Sequence, residues 1–273
     1  MTQIERYLEF LEHGRMLSPN TIKNVRSDLK EVDGDIKELT RQKVEKIIMQ
    51  DNKRGLSSAT VNRKVSSIRG YIQYLIDNGV IEGKNFVTKH MTPRIRNKKT
   101  KTITKEKLDE LYGNAPRDIK YLLSLMGYSG MRIDEAISVS ELHYDDNSVP
   151  YVHLTKTKGD RPRDVSLALV KDIDLIKEVL EEGGLQSQRG RRTTNSAYRI
   201  LVSYFKKHDV DITPHGLRAT YSAILMDADV NINVIRSCLG HVAMGGLGAI
   251  TARYVGEATP EQQAKELKQI FNM

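Results

Sequence analysis

Cysteine is nearly absent from this sequence: Cys238 is the only one in 273 residues. A single thiol excludes an internal disulfide framework and a metal site built from several cysteines. Cys238 lies close to His241 in the sequence, but a His-Cys metal site there lacks enough further ligands. We therefore interpret Cys238 as a small buried apolar residue and expect no metal site. A reducing, cytoplasmic environment suits such a chain.

Long apolar runs are absent too. No stretch approaches the ~20 apolar residues that a membrane-spanning helix requires, so we expect no membrane segment. The first ten residues, MTQIERYLEF, are amphipathic with acidic polar positions, so we expect no secretory signal there. The sequence also lacks a Walker loop for ATP and an acidic cluster for paired metal ions. We expect a function that needs no cofactor.

Positive charge, by contrast, is in excess. The chain has 43 Lys and Arg against 35 Asp and Glu, a net charge of +8, and its pI is near 9.3. Because Lys and Arg contacts to phosphates release condensed counterions, this balance favours a polyanionic partner. The hydrophobic share of 39% supports proper cores. The length allows one large domain or two smaller ones.

The first part of the chain, residues 1–90, predicts helices throughout. Ser18 is a typical N-cap with proline at the first helical position, and Thr40 begins another helix. Ser57 or Ser58 begins the strongest helix of this half. Its apolar positions alternate in steps of four and three, namely Val61, Val65, Ile68, Ile72 and Leu75. We predict a helical N-terminal domain that binds DNA.

Basic side chains in and after this half are candidate DNA contacts. On the strongest helix the predicted basic face, placed opposite the apolar one, carries Arg63, Lys64 and Arg69. A solvated basic face explains these three about as well. Residues 91–101 predict a basic linker between two domains, with Arg94, Arg96, Lys98 and Lys99 as further candidate contacts. The alternative for this segment is an ordinary soluble linker.

The second domain, predicted over 102–273, combines helices with a small antiparallel β-sheet. Apolar residues alternate on both sides of Lys158-Gly159-Asp160, which predicts a hairpin with a basic tip. The whole chain is therefore predicted to be mainly α with a small antiparallel sheet, an α+β fold. Residues 257–273 predict a tail helix that docks either on its own domain or on the next protomer of an assembly.

Five short segments carry the groups that phosphate chemistry needs. They are Gly130-Met131-Arg132-Ile133-Asp134-Glu135, Lys158-Gly159, His215-Gly216-Leu217-Arg218, Leu239-Gly240-His241 and Tyr254. In this order they resemble the catalytic domain of tyrosine recombinases, the phage-integrase family. The helical first part, with SPNTIKNVRSDL and SSATVNRKVSSIRGYIQYL, resembles the family's core-binding domain. The resemblance covers nearly the whole chain, and it depends on all five segments occurring together.

The resemblance implies a site-specific recombinase or integrase that acts on double-stranded DNA. Such an enzyme cleaves and rejoins strands through a 3′-phosphotyrosyl intermediate, without an energy cofactor and while self-associated on DNA, as a tetrameric synapse. Two other functions stay open: relaxation of DNA by a type IB topoisomerase, which the same groups could serve, and non-catalytic DNA binding on the same fold.

The resemblance also assigns the catalytic roles. Arg132 and Arg218 neutralise the non-bridging phosphate oxygens, helped by a hydrogen bond from His241. Tyr254 is the nucleophile, and His215 is the best candidate for its general base.

Two further residues complete the predicted site. Lys158 is placed to protonate the departing 5′ oxygen, and Glu135 supports Arg132 from the same helical face. The sequence departs from the family pattern in two ways. The interval from His241 to Tyr254 is a few residues longer than is common, which leaves open whether Tyr254 serves its own site or a neighbour's. Ala219 stands where many members have a second histidine.

Overall fold

The computed structural model describes residues 1–94, 100–155, 162–188, 190–240 and 260–271. The chain divides into two compact units, Met1–Lys98 and Lys99–Met273. Helices dominate both, and the sheets are small and antiparallel, which confirms the predicted fold class. The finer domain boundaries drawn from the sequence stay predictions.

Within residues 1–94, the first unit has four α-helices. They are α1 (Gln3–Glu9), α2 (Pro19–Leu29), α3 (Arg41–Lys53) and α4 (Ser58–Asp77). A π-helical turn, Phe10–Gly14, continues α1, and short 3-10 turns cover Lys30–Val32, Ile36–Glu38 and Lys89–Met91. The predicted N-caps Ser18, Thr40 and Ser57 are confirmed, because each side chain accepts a hydrogen bond from the backbone N–H three residues on.

Helix α4 supplies much of the core of this unit. All five residues of its predicted apolar face are buried against α1, α2 and α3. Burying one such side chain contributes about 1.5–3 kcal/mol. Asn78 is the C-cap of the helix, and Gly79 follows with φ +69°, the left-handed conformation that favours glycine at a helix end.

In the described part of the second unit, seven α-helices precede the tail helix. They are α5 (Lys105–Gly113), α6 (Arg117–Gly127), α7 (Ile133–Ser138), α8 (Ile173–Glu181), α9 (Thr194–Lys207), α10 (Pro214–Asp227) and α11 (Ile232–Leu239). Helix α6 is the central one: every residue from Tyr121 to Gly127 is buried, and α5, α7, α8, α9 and α10 pack around it. Across the described part of the chain, we find no helix both long and apolar enough to cross a membrane.

A three-stranded antiparallel sheet lies beside these helices, in the order β1 (His143–Tyr144), β2 (Pro150–Leu154), β3 (Arg163–Ser166). Val152 pairs with Val165, and Leu154 pairs with Arg163. These four residues are buried. The two strands of the predicted hairpin are thus confirmed, whereas its tip, residues 156–161, lies outside the described residues. A second, two-stranded sheet joins β4 (Gln186–Ser187) to β5 (Gly190–Arg191).

The tail helix, Pro260–Phe271, packs on β3 and α11 of its own unit. Leu267 and Ala264 are buried there. The Oε1 atom of Gln263 accepts from the Cys238 thiol at 3.5 Å and from the Ser166 N–H at 3.4 Å. Of the two predicted docking modes, the structure therefore shows packing on the helix's own domain. Cys238 is buried, as predicted, and burial raises the pKa of its thiol to about 11.

Candidate active site

Arg132 and Glu135 meet at the start of α7. Arg132 occupies the N-cap position, and its backbone N–H donates to Glu135 Oε2 at 2.7 Å. Its guanidinium donates to Glu135 Oε1 at 2.7 Å. The Glu135 carboxylate thus holds both the main chain and the side chain of Arg132.

Arg218 reaches the same carboxylate from α10. That helix begins at Pro214, and Thr213 caps it by accepting a hydrogen bond from the Gly216 N–H. The guanidinium of Arg218 is buried and donates to the carbonyl of Gly130 at 2.6 Å and to the carbonyl of Leu239. Its Nη1 atom lies 3.9 Å from Glu135 Oε2. Arg218 thereby ties α10 to the loop before α7 and to the end of α11.

Gly130 is the glycine of the first motif, and two observations explain its identity. Its φ is +72°, in the left-handed region, and an added Cβ would lie 2.5 Å from the Tyr221 ring. A side chain at this position would be strained and would also displace Tyr221. The Gly130 carbonyl accepts from Arg218, so the backbone at this glycine also helps to hold that arginine.

A third arginine, Arg163, joins the cluster, and the sequence interpretation missed it. Its two terminal nitrogens donate to the two Glu135 oxygens at 2.9 and 2.8 Å, a bidentate pair between β3 and α7. A signal for its inward position was present, because it precedes the apolar Val165 by two residues on the same strand. The partner was not foreseeable, since Glu135 lies 28 residues earlier in the chain.

The cluster carries excess positive charge. Three guanidinium groups face one buried carboxylate, which leaves a net charge of two. Burial by itself raises the pKa of Glu135, but hydrogen bonds from Arg163 and from the Arg132 backbone outweigh it and lower the pKa to about 2. Burial and the charge of Arg132 lower the pKa of Arg218 to about 10. Such a group of cations favours an anion beside it.

Access to the cluster differs among the three arginines. The Arg132 side chain is 26% exposed, whereas those of Arg163 and Arg218 are 5% and 4% exposed. His215 is exposed in the first turn of α10, three residues before Arg218. The structure therefore brings three of the predicted site residues together: Arg132, Glu135 and Arg218. The other predicted catalytic residues, Lys158, His241 and Tyr254, lie outside the described residues.

Family models cover most of the chain. Residues 101–258 match the phage integrase family, and residues 4–79 match the N-terminal SAM-like domain of phage integrases. The chain belongs to the phage integrase family. As a member of it, the protein is a tyrosine-type site-specific recombinase.

Individual relatives agree with this family assignment. A tyrosine recombinase of Thermosipho africanus is 28% identical, over 87% of this chain and 90% of its own length. Among solved structures, a lambda integrase dimer bound to a COC′ core site has a TM-score of 0.71 at 17% identity, covering 88% of this chain and 93% of that one. A lambda integrase tetramer bound to a Holliday junction has a TM-score of 0.70 at 16% identity, covering 90% and 79%. These two structures share the fold.

The predicted basic face of this phage integrase family member needs one correction, at Lys64. Its side chain is buried, and its Nζ atom lies 2.8 Å from Asp51 Oδ2 and 2.9 Å from Glu31 Oε1. Lys64 follows Val61 by three residues and precedes Ile68 by four, so it lies on the apolar face of α4 rather than opposite it. The prediction that Lys64 faces DNA is therefore wrong, and its role is an interior ion pair.

The remaining basic candidates of the first unit differ in exposure. Arg63 is exposed but paired with Asp28 at 2.6 Å, and Arg69 is partly exposed. Arg94 is exposed beyond Pro93, whose carbonyl accepts from the Asn62 side chain. The last three candidates lie outside the described residues: Arg96, Lys98 and Lys99.

Replacing Glu135 tests how the cluster is held together. We expect Glu135→Gln to lower the free energy of unfolding by about 3–5 kcal/mol at pH 7, because it leaves buried guanidinium groups without a counter-charge. Urea unfolding measures this. The folded-state pKa of Glu135 lies below its ordinary 4.5, so its contribution is complete above pH 4.5 and is lost as the pH falls towards 2. The difference in free energy of unfolding between the wild type and Glu135→Gln should therefore shrink as the pH falls from 4.5 towards 2.

The matched control for this prediction is Glu110→Gln. Glu110 pairs with Lys107 at 2.8 Å on the surface of the same unit, where such a pair contributes about 0–1 kcal/mol. A loss at Glu135 no larger than that at Glu110 would contradict the importance of the buried carboxylate.

Proposed function

We propose that this recombinase cleaves and rejoins double-stranded DNA through a 3′-phosphotyrosyl bond to Tyr254. The observation that supports the proposal is the cluster of Arg132, Arg163 and Arg218 around Glu135, which carries two excess positive charges and opens to solvent through Arg132. A phosphodiester gathers negative charge in the transition state of its cleavage, and preorganised cations are the main way to stabilise that charge.

Arginine suits the two phosphate contacts that we assign to Arg132 and Arg218. Its planar guanidinium grips phosphate oxygens in pairs and keeps its proton at neutral pH. Even with its pKa lowered to about 10, Arg218 stays charged at pH 7. We assign to His241 a further hydrogen bond to a non-bridging oxygen.

Proton transfer completes the cleavage step. The Tyr254 oxygen forms a bond to phosphorus while the bond to the 5′ oxygen breaks. His215 accepts the phenolic proton, because a phenol with a pKa near 10 needs a base at neutral pH. Lys158 donates a proton to the departing 5′ oxygen. One phosphodiester replaces another, so a second 5′-hydroxyl can reverse the step onto a new partner strand without an energy cofactor.

The partners that we propose are double-stranded DNA and further copies of this chain. Lambda integrase, which shares the fold, has been solved as a dimer on a core site and as a tetramer on a Holliday junction. We propose the same tetrameric arrangement on DNA for this chain. With a single, buried cysteine, it suits the reducing cytoplasm.

A covalent trap tests the proposed reaction. On a nicked substrate that loses the short strand after cleavage, the wild-type protein should accumulate a protein–DNA adduct, and peptide mass spectrometry should map the adduct to Tyr254. On a plasmid with two target sites the protein should exchange partners. Relaxation without exchange would favour a topoisomerase, and binding without any adduct would favour a non-catalytic DNA-binding factor.

Loss of either phosphate-contacting arginine should slow cleavage strongly. We expect Arg132→Ala and Arg218→Ala each to lower the single-turnover cleavage rate by about 10²–10³. DNA affinity should stay close to that of the wild type, because it is spread over many phosphate contacts. A variant that cleaves at the wild-type rate would remove its arginine from the site.

Besides the basic face of α4, the catalytic unit has a basic surface of its own, on α9, that supports DNA binding. Helix α9 carries Arg199, Lys206 and Lys207, all exposed, and has no acidic residue between Thr194 and Lys207. The helix directly precedes α10, which carries His215 and Arg218. We propose that α9 contacts DNA phosphates next to the cleavage site.

Salt dependence tests both basic surfaces. Arg69→Gln on α4 and Arg199→Gln on α9 should each weaken DNA binding and lower the slope of log affinity against log salt by about one. Lys177→Gln, which removes an exposed charge paired with Asp174, is the matched control and should leave the slope unchanged. An unchanged slope in either test variant would make that surface an ordinary solvated one.

A further inference from the structure

Arg163 is the least expected member of the site. It lies at the first position of β3, opposite Leu154, with its side chain turned into the core and only 5% exposed. Its fork occupies both oxygens of Glu135 at 2.9 and 2.8 Å. Both terminal nitrogens of Arg163 are turned onto Glu135, whereas Arg132 and Arg218 approach that carboxylate through Nη1 only. We therefore assign no phosphate contact to Arg163.

The side chain of Arg163 also contacts the end of α11. Gly240 caps that helix in the left-handed conformation, and an added Cβ there would lie 2.6–2.9 Å from the Cδ, Nε and Cζ atoms of Arg163. The close approach needs a glycine. Among the described residues the buried Nε atom of Arg163 has no hydrogen-bond partner. One side chain therefore connects β3, the start of α7 and the residue that precedes His241 in the sequence.

The charges explain what this connection does. Glu135 Oε2 lies 3.9 Å from Nη1 of Arg218, close enough to attract it. Arg218 is instead held on the carbonyls of Gly130 and Leu239. Without Arg163, the two Glu135 oxygens would each lose one hydrogen bond. Arg218 would then be the nearest cation, besides Arg132, that could replace those bonds. An ion pair with Glu135 would draw Arg218 away from the carbonyls of Gly130 and Leu239. The carboxylate would then neutralise the charge that Arg218 offers to a phosphate.

We propose that Arg163 is a positioning residue for strand cleavage: it saturates Glu135, so that Arg132 and Arg218 keep their positions and their charge for the scissile phosphate. This inference rests on the phosphate chemistry proposed above. It gives Arg163 a role in the rate of cleavage and none in direct contact with DNA.

A methylphosphonate at the scissile position tests the proposal. In this substrate a methyl group replaces one charged non-bridging oxygen, so the transition state gathers less charge and depends less on the arginine cations. We expect Arg163→Met to bind DNA like the wild type and to cleave ordinary DNA about 10²-fold more slowly than the wild type. On the methylphosphonate its cleavage rate should fall less than about tenfold below that of the wild type. Arg163→Lys keeps the positive charge but cannot bind both Glu135 oxygens as a guanidinium does. Its cleavage rate on ordinary DNA should lie between those of Arg163→Met and the wild type.

A purely structural role predicts a different pattern. Arg192 forms a comparable ion pair with Asp118 elsewhere in the unit, at 2.9 and 2.5 Å. Arg192→Met is therefore the matched control, and it should change the cleavage rates of both substrates by the same factor. If Arg163→Met slowed cleavage of both substrates by the same factor, its positioning role would be wrong. If the wild-type protein formed no covalent product on ordinary DNA, the proposed function itself would fail.

A double variant keeps the test decisive if Arg163→Met folds poorly. Arg163→Met with Glu135→Gln removes both buried charges, and neutral replacement of a buried ion pair is much less damaging than removal of one partner. Because the carboxylate can then no longer draw Arg218 away, the double variant should cleave ordinary DNA faster than Arg163→Met alone. A double variant that folds but cleaves no faster than Arg163→Met would overturn the proposal.

Discussion

Tyr254→Phe is expected to bind DNA with the affinity of the wild type and to form no covalent complex. The phenolic oxygen is the atom that we propose attacks phosphorus, and phenylalanine lacks it while keeping the ring. Affinity should survive, because we propose that phosphate contacts on both units share it. Gel-shift titration measures binding, and the nicked trapping substrate measures adduct formation.

Tyr144→Phe is the matched control for the nucleophile. Tyr144 lies in β1 of the same unit, is exposed, and has Lys177 over its ring at 5.7 Å. It should form the adduct at the wild-type rate. A stable adduct from Tyr254→Phe would show that another residue attacks the phosphate and would remove Tyr254 from the proposed mechanism.

Lys158→Ala is expected to be slow on ordinary DNA and close to wild type on a 5′-thio substrate. General acid catalysis typically contributes about 10²–10⁴ in rate, so a loss of that size should appear when the leaving group is an ordinary 5′ oxygen. A sulfur at that position leaves as a thiolate, and because thiols have pKa values of about 8.5, it hardly needs a proton. Single-turnover cleavage of the two substrates measures the difference.

Two other variants separate acid catalysis from simple DNA affinity. Lys156→Ala removes a neighbouring positive charge and should cleave both substrates at nearly the wild-type rate. Arg132→Ala should stay slow on both, since the contact that we assign to Arg132 is to the non-bridging oxygens, which are the same in both substrates. If the 5′-thio substrate did not restore the cleavage rate of Lys158→Ala more than that of Arg132→Ala, Lys158 would be a phosphate contact. The general acid would then be another residue.

Local sequence signals predicted most of the helical framework. The caps at Ser18, Thr40 and Ser57 follow from hydrogen bonds made within one turn, which need no knowledge of the rest of the chain. The apolar face of α4 and the two strands around the hairpin follow from periodicities of 3.6 and 2. These features were predictable because the interactions that decide them are close in sequence.

Features that depend on distant partners were predicted less well. The charge of Lys64 favours the DNA face, although its spacing places it among buried residues. Its burial is tolerated only because Asp51 and Glu31 meet it from α3 and from the turn after α2. Arg163 was overlooked because its partner comes from α7. In both cases the charge is compensated by a residue far away in sequence.

The bidentate pair of Arg163 and Glu135 also has an evolutionary consequence. Each residue leaves a buried charge behind when the other is replaced, so a single substitution at either position is costly, whereas a joint replacement by neutral residues is much less so. Positions 135 and 163 are therefore expected to covary among relatives that keep this fold. The contact with Gly240 adds a third position to the set, because a relative with a side chain at 240 has to shorten residue 163.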